Sequence, residues 1–368
     1  MKIPFVDLKA QYQSIKENID DAIASVIDET AFIGGHFVKD FEKAFAELYG
    51  VKHVIGCANG TDSLYIIMKM LGIGPGDEVI TVANSWISSS ETITQTGARP
   101  VFVDVDPEYF SMDETRLEAL ITPKTKAVIP VHLQGQACNL GVIAAICKRH
   151  NLFLIEDCAQ AHFSEYKGKR VGLHGTAASF SFYPGKNLGA YGDAGCIITN
   201  DDALAEKCRM FANHGALKKP DHRIEGINSR LDGLQAAILQ AKLPYILGWT
   251  EQRIRNAALY QDCLKAISQL ILPKTRPDTK HTFHLYVVRA QRRNELMEFL
   301  KGKGIETVIH YPVALPNLPA YRYLGHTPAD FPVATGLQDE ILSLPMFPEL
   351  EAQGIQYVAD SIASFYRK

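Results

Sequence analysis

Long apolar runs are missing from this sequence: none approaches the length of a membrane span, and Pro4 and Asp7 interrupt the N-terminus before a signal-peptide core could form. No CxxC pair occurs among the seven scattered cysteines, which speaks against a zinc ribbon and, with the count odd, against a disulfide framework. Neither charge dominates, with 38 Lys+Arg against 41 Asp+Glu, and no long basic run exists to attract nucleic acid or an anionic membrane. A GxSxG elbow, a Walker loop, internal repeats and low-complexity tracts are all absent. A reducing, cytoplasmic setting is therefore expected. What remains is an ordinary globular composition, 46% hydrophobic and 21% charged over 368 residues, enough for two or three packed units with a cleft between them.

Hydrophobic spacing supplies the fold class. Within residues 8–30, Ile15, Ile19, Ile23 and Ile27 recur every four residues, and Phe37, Phe41 and Phe45 repeat that spacing after Gly34-Gly35, predicting two amphipathic helices. A helix is then expected after Gly60-Thr61, near 88–96 and at 141–150, alternating with short apolar strands at 78–82, 100–103, 127–131 and 152–155. Such alternation means an α/β fold with a mostly parallel sheet covered on both faces. Between 176 and 200 the pattern changes to two strands, 178–182 and 196–199, joined by a Gly-rich loop rather than a helix. Helices resume at 202–213 and 231–242, and another begins around Trp249. The expected division is a large domain over 1–245 and a smaller α+β domain over 246–368, with a strand at 284–288 and helices at 293–303 and 350–366.

The chemistry gathers where strands end. In Ile155-Glu156-Asp157-Cys158-Ala159-Gln160-Ala161-His162, two charged residues close an apolar strand, and strand carboxyl ends of a parallel sheet face the ligand crevice. An acidic helix cap is the competing explanation of Asp157. In Phe180-Ser181-Phe182-Tyr183-Pro184-Gly185-Lys186-Asn187-Leu188-Gly189, a lone lysine sits in a tight turn directly after a buried strand, and flanking aromatics would lower its pKa by desolvation. A surface lysine in a loop is the plainer alternative for that segment alone. Together the two segments supply what pyridoxal phosphate requires: a lysine to condense with its aldehyde and a carboxylate to keep its ring nitrogen protonated. Ala58-Asn59-Gly60-Thr61 offers a phosphate cradle at a helix N-terminus, with Ser181 as a further hydroxyl, although the same residues would also make a plain N-cap. Trp86, one of two tryptophans, follows the strand at 78–82 and is read either as a ring-stacking partner or as a core aromatic. His281 and His284 lie three apart in an alternating stretch that suggests a strand, which would send them to opposite faces; no metal site is expected.

The ordered set of segments resembles the DegT/DnrJ/EryC1/StrS nucleotide-sugar aminotransferases, within fold type I of the pyridoxal phosphate enzymes. The matching pieces are Asn59-Gly60-Thr61-Asp62-Ser63-Leu64, Gly74-Pro75-Gly76-Asp77-Glu78-Val79, the segments 156–162 and 181–189 quoted above, Gly192-Asp193-Ala194-Gly195, Asn228-Ser229-Arg230-Leu231-Asp232, His310-Tyr311-Pro312 and Leu342-Ser343-Leu344-Pro345. The resemblance implies that Lys186 holds the cofactor, Asp157 pairs with the pyridine nitrogen, and Gln160 bonds near the ring hydroxyl. It further implies that Gly60, Thr61 and Ser181 hold the phosphate, that Trp86 stacks on the ring, and that Asn228 reaches in from the other subunit of a homodimer. Tyr183, His310 and Tyr311 would line the sugar-nucleotide pocket, and the loop with Lys218, Lys219, His222 and Arg223 would close over the pyrophosphate of a neighbouring site. The implied activity moves an amino group from L-glutamate to a keto-sugar nucleotide, for a glycan such as lipopolysaccharide O-antigen. Two departures stand out: Asn317 and Leu318 where members often carry His and Gln, and Ala194 in place of Gly. A related branch of sugar dehydratases resembles His at the Lys186 position, and a non-catalytic regulator on the same fold is the remaining alternative.

Overall fold

The computed structural model describes residues 1–218 and 220–367. A seven-stranded sheet forms its centre, in the spatial order His53–Cys57, Gly195–Thr199, Ala177–Ser181, Phe153–Asp157, Thr125–Ile129, Glu78–Val82 and Arg99–Val103. The last five of these are mutually parallel, whereas Gly195–Thr199 runs antiparallel to both of its neighbours. That reversal is why residues 182–194 connect two strands as a tight loop: an antiparallel neighbour needs no helical crossover.

Alternation along the strands sends successive side chains to two cores. Ala178, Phe180, Cys196 and Ile198 pack with Ile19, Phe41, Phe45 and Tyr49 from helices Lys16–Asp28 and Gly35–Tyr49. Ala177, Ile155 and Ile197 face the other way, toward Leu64, Ile67, Ile93 and Phe211 from helices Gly60–Met70, Ser88–Thr96 and Asp202–Phe211. Each Ile, Leu or Phe among them, fully buried, stabilises the fold by roughly 1.5–3 kcal/mol relative to exposure.

A second, three-stranded antiparallel sheet of Leu270–Ile271, Tyr286–Ala290 and Ile341–Leu344 shares a core with helices Ile246–Leu264, Arg293–Gly302 and Ala352–Tyr366. Ile3 bridges to Ile305 and joins that core. Among the described residues, no helix is long and apolar enough to cross a membrane.

Four local expectations are corrected. The strand His53–Cys57 was not foreseen; glycine is required at its position 56, since a Cβ would lie 2.9 Å from Leu231 Cβ. The first helix breaks at Ile15, and Val26 rather than Ile27 is buried in its continuation. Residues 281–285 form no strand; the amides of Thr282 and Leu285 dock on the carbonyls of Gly135 and Gln134, so the strand starts at Tyr286. The helix expected at 231–242 begins at Gly233 behind Asp232, and the Ser229 hydroxyl takes the Ala58 amide.

Candidate active site

The parallel strands point their carboxyl ends at a cavity of about 560 Å³. Pleating separates two adjacent acids there. Glu156 turns inward, fully buried, and accepts the amides of Gly172, His174 and Gly175 together with His132 Nε2 at 3.0 Å. Burial opposes its ionisation, but these donors hold its carboxyl below the usual range. With Cys158, this pair forms a cluster of metal-ligand type. Its donors are already committed, however, since His132 Nδ1 accepts the Cys138 amide. Asp157 faces the cavity instead; Oδ2 accepts the Ser89 hydroxyl at 2.8 Å and Oδ1 the Ala159 amide at 3.1 Å.

Lys186 is delivered by the loop that the antiparallel strand creates. Its amide closes a turn on the Tyr183 carbonyl at 2.8 Å, and Ala190 returns to Phe182 at 2.8 Å. Gly189 admits no side chain, because a Cβ would meet the Pro184 carbonyl oxygen at 2.3 Å. The buried ammonium of Lys242 anchors the same loop through the Gly189 carbonyl at 2.7 Å. Burial lowers the pKa of Lys186 to about 8, with the Asp157 carboxylate opposing the shift. His284 and His310 stand around it. Burial takes His310 down to about 4 and His284 well below its ordinary value, Lys186 adding to both, so both rings are neutral at pH 7.

At the other end, helix Gly60–Met70 starts against the cavity. Asn59 caps it, using the amide of Asp62 through its side chain and that of Ser63 through its carbonyl, so the first-turn donors left over belong to Gly60 and Thr61. A Cβ on Gly60 would sit 2.8 Å from Ser181 Cβ, so only glycine lets helix start and strand end close into one concave wall. Thr61 Oγ1 lies 2.7 Å from Ser88 Oγ. Beyond Asp157, Gln160 accepts the Gln134 amide at 2.6 Å and donates to the Tyr311 hydroxyl at 3.0 Å, and on the outer side Tyr311 meets the Trp86 ring at 5.7 Å.

Ten of the residues expected from sequence therefore line one cavity: Gly60, Thr61, Trp86, Asp157, Gln160, Ser181, Tyr183, Lys186, His310 and Tyr311. Two do not. Asn228 is exposed in a bridge to Asn213, and Arg223 is exposed and paired with Asp221 at 2.8 Å. Lys219 lies outside the described residues. Asn317 turns to Thr335 rather than to the cavity. Sequence reasoning missed Ser85, Ser88, Ser89 and His284, all of which line the cavity. The serines follow the strand Glu78–Val82, so the rule that located Asp157 would have located them.

Comparison with known proteins agrees with this geometry. Residues 13–363 match the model of the DegT/DnrJ/EryC1/StrS aminotransferase family. The chain is 48% identical to a pleiotropic regulatory protein of Geobacillus stearothermophilus, covering 100% of this chain and 99% of that one. It is 40% identical to a dTDP-3-amino-3,4,6-trideoxy-alpha-D-glucose transaminase of Streptomyces venezuelae, covering 98% and 95%. The crystal structure of S. venezuelae DesV in complex with a ketimine intermediate superposes with a TM-score of 0.97 at 39% identity, covering 100% and 99% of the two chains. A lysine and a carboxylate set into one cavity by the loop and strand described above, in a fold shared along its whole length, place the chain in the DegT/DnrJ/EryC1/StrS aminotransferase family.

Proposed function

We propose that this chain transfers the amino group of L-glutamate to the keto group, at C3 or C4, of a nucleotide-linked hexose or deoxyhexose. It works as a cytoplasmic homodimer in the assembly of a glycan such as lipopolysaccharide O-antigen. The chain is a pyridoxal-phosphate-dependent aminotransferase. The observation that carries the reading is Lys186, a half-buried amine whose pKa desolvation depresses, in one cavity with Asp157.

The residues present fit the cofactor. Bound pyridoxal phosphate supplies an electron sink as long as its ring nitrogen stays protonated. Asp157 is the anion for that nitrogen. Gly60, Thr61 and Ser181 form the concave wall for the phosphate, and the free helix amides there favour an anion. Gln160 spends one of its amide hydrogens on Tyr311 and keeps the other for the ring hydroxyl. Trp86 covers the ring face. Lys186 Nζ would attach the cofactor and, as a free amine, would take the proton from the donor's Cα. Asn228 and Arg223, exposed and away from their own cavity, are assigned to the site of the partner subunit, Asn228 at the phosphate and Arg223 at the pyrophosphate of the sugar nucleotide. Tyr183, His310 and Tyr311 line the sugar's side.

A second reading, a non-catalytic regulator, has the name of the Geobacillus relative in its favour. The dehydratase reading has Lys186 against it. The test mixes purified, cofactor-loaded protein with L-glutamate and follows the absorbance, then supplies dTDP-, UDP- and GDP-linked 3-keto and 4-keto hexoses and looks for the amino sugar by mass spectrometry. A glutamate-dependent spectral change and one aminated product are expected; no response to any amino donor would favour the regulator.

A further inference from the structure

We infer that Ser89, aligned by Ser85, is the positioning residue that holds Asp157 as an oriented carboxylate. The inference rests on the reading of Asp157 as the partner of the ring nitrogen. Three observations carry it.

The first is what the neighbouring hydroxyls do. Helix Ser88–Thr96 is rich in Ser and Thr, and such side chains commonly bond back to a carbonyl three or four residues earlier. Ser90 does so to Ile87 at 3.0 Å, Thr92 to Ser88 at 2.7 Å and Thr96 to Ile93 at 2.7 Å. Ser89, 1% exposed, leaves its own helix and reaches the end of the strand Phe153–Asp157. Local back-bonding therefore does not account for it.

The second is direction. A serine hydroxyl has one proton, and Asp157 Oδ2, 2.8 Å away, can only accept it. Ser85 Oγ lies 3.0 Å from Ser89 Oγ, so Ser85 is the donor of that bond and the chain runs Ser85 to Ser89 to Asp157.

The third is completeness. The other oxygen, Oδ1, accepts the Ala159 amide at 3.1 Å, so one bond fixes each oxygen and the carboxylate plane is set before any ligand enters. Losing one of these bonds frees the carboxylate to turn and weakens its hold on a protonated ring nitrogen.

The test uses Ser89→Ala, Ser89→Thr, Ser85→Ala, Asp157→Asn and the double variant Ser89→Ala/Asp157→Asn. Each is loaded with pyridoxal phosphate carrying ¹⁵N in the ring, whose resonance reports the nitrogen's protonation. Ser89→Ala should bind the cofactor and move the resonance part of the way toward its position in Asp157→Asn. Its kcat with glutamate should fall roughly tenfold, the loss expected for one hydrogen bond to a charged group, with KM changed less than about twofold. Ser89→Thr should restore both. Ser85→Ala should displace the resonance in the same direction by less, and stands as the test if Ser89→Ala fails to fold. In the double variant, Ser89→Ala should add less than about a further twofold, because it acts through Asp157. A resonance unmoved in Ser89→Ala, or unmoved in Ser85→Ala where that variant stands in, overturns the inference if Asp157→Asn displaces it. A resonance unmoved in Asp157→Asn overturns the reading of Asp157 itself.

Discussion

The cavity has an inner and an outer half, and they are built differently. Inside, Asp157, Gln160, Gly60, Thr61 and Lys186 come from strand ends, a helix start and a tight turn, and hydrogen bonds or excluded Cβ positions fix the elements that carry them. Outside, Trp86 and Tyr183 are each 59% exposed, and Arg223 and Asn228 stand clear of the cavity altogether. The lysine, the carboxylate and the phosphate wall of the inner half all come from one chain. The outer half presents large side chains with little to pack against. Covalent chemistry needs tenths of an ångström and is placed on rigid elements, whereas recognition of a large substrate can be left to surfaces that a ligand or a second subunit completes.

The sharpest way to break the comparison is to remove the centre of the inner half. Lys186→Ala should lose at least about a thousandfold in turnover, the order expected for a residue that both attaches the cofactor and moves the proton. It should still bind the cofactor noncovalently, since the phosphate wall and Asp157 remain. Borohydride reduction of the wild type should fix the cofactor on Lys186 alone; an adduct on Lys242, a buried lysine that also has a depressed pKa, would move the active centre elsewhere.

Asp157→Asn comes next. It keeps the shape and the Ala159 bond but loses the charge, and should cost about a hundredfold in rate, about 2.7 kcal/mol in the barrier. Near-normal turnover with the cofactor bound would mean that the inner half contributes geometry and not charge.

The outer half is tested by mixing. Lys186→Ala and Asn228→Asp proteins, each inactive alone, should regain about a quarter of wild-type activity when unfolded and refolded together, because half the dimers are mixed and each mixed dimer has one intact site. Confirmed heterodimers without activity would place Asn228 in its own chain's site and make the outer half self-contained.

How much of this was legible follows the same division. Asp157 and Lys186 stood out because charge at the end of an apolar strand, and charge in a turn behind one, have few structural explanations. The phosphate wall was legible because Gly60 before a helix has a physical reason, which the 2.8 Å approach of Ser181 makes explicit. The strand His53–Cys57 was not, because a glycine needed for close packing looks the same in sequence as one that ends a strand. The strand-end rule reaches Ser85 and Ser89, but not their role, because an uncharged hydroxyl carries no sign of whether it bonds locally or across the cavity. The role of Asn228 rested wholly on resemblance, and its own chain leaves it exposed, without a cavity to line.

The smallest expected effect concerns the pH dependence of cofactor attachment. Only the neutral amine of Lys186 attacks the aldehyde, and burial sets its pKa to about 8 against the pull of Asp157. Between pH 7 and pH 9 the neutral fraction rises from about a tenth to about nine tenths, so the rate at which cofactor-free protein takes up pyridoxal phosphate should climb about tenfold and then level. An exposed lysine would climb about a hundredfold over the same range without levelling. Removing the opposing carboxylate in Asp157→Asn lowers the lysine pKa further, so the profile should move to lower pH. Arg223, exposed and outside the cavity, contributes to neither cause, so Arg223→Ala should leave the midpoint where it is. A midpoint that moved with Arg223 and stayed put with Asp157 would show that the outer half sets the chemistry of the inner one, the reverse of the division drawn here.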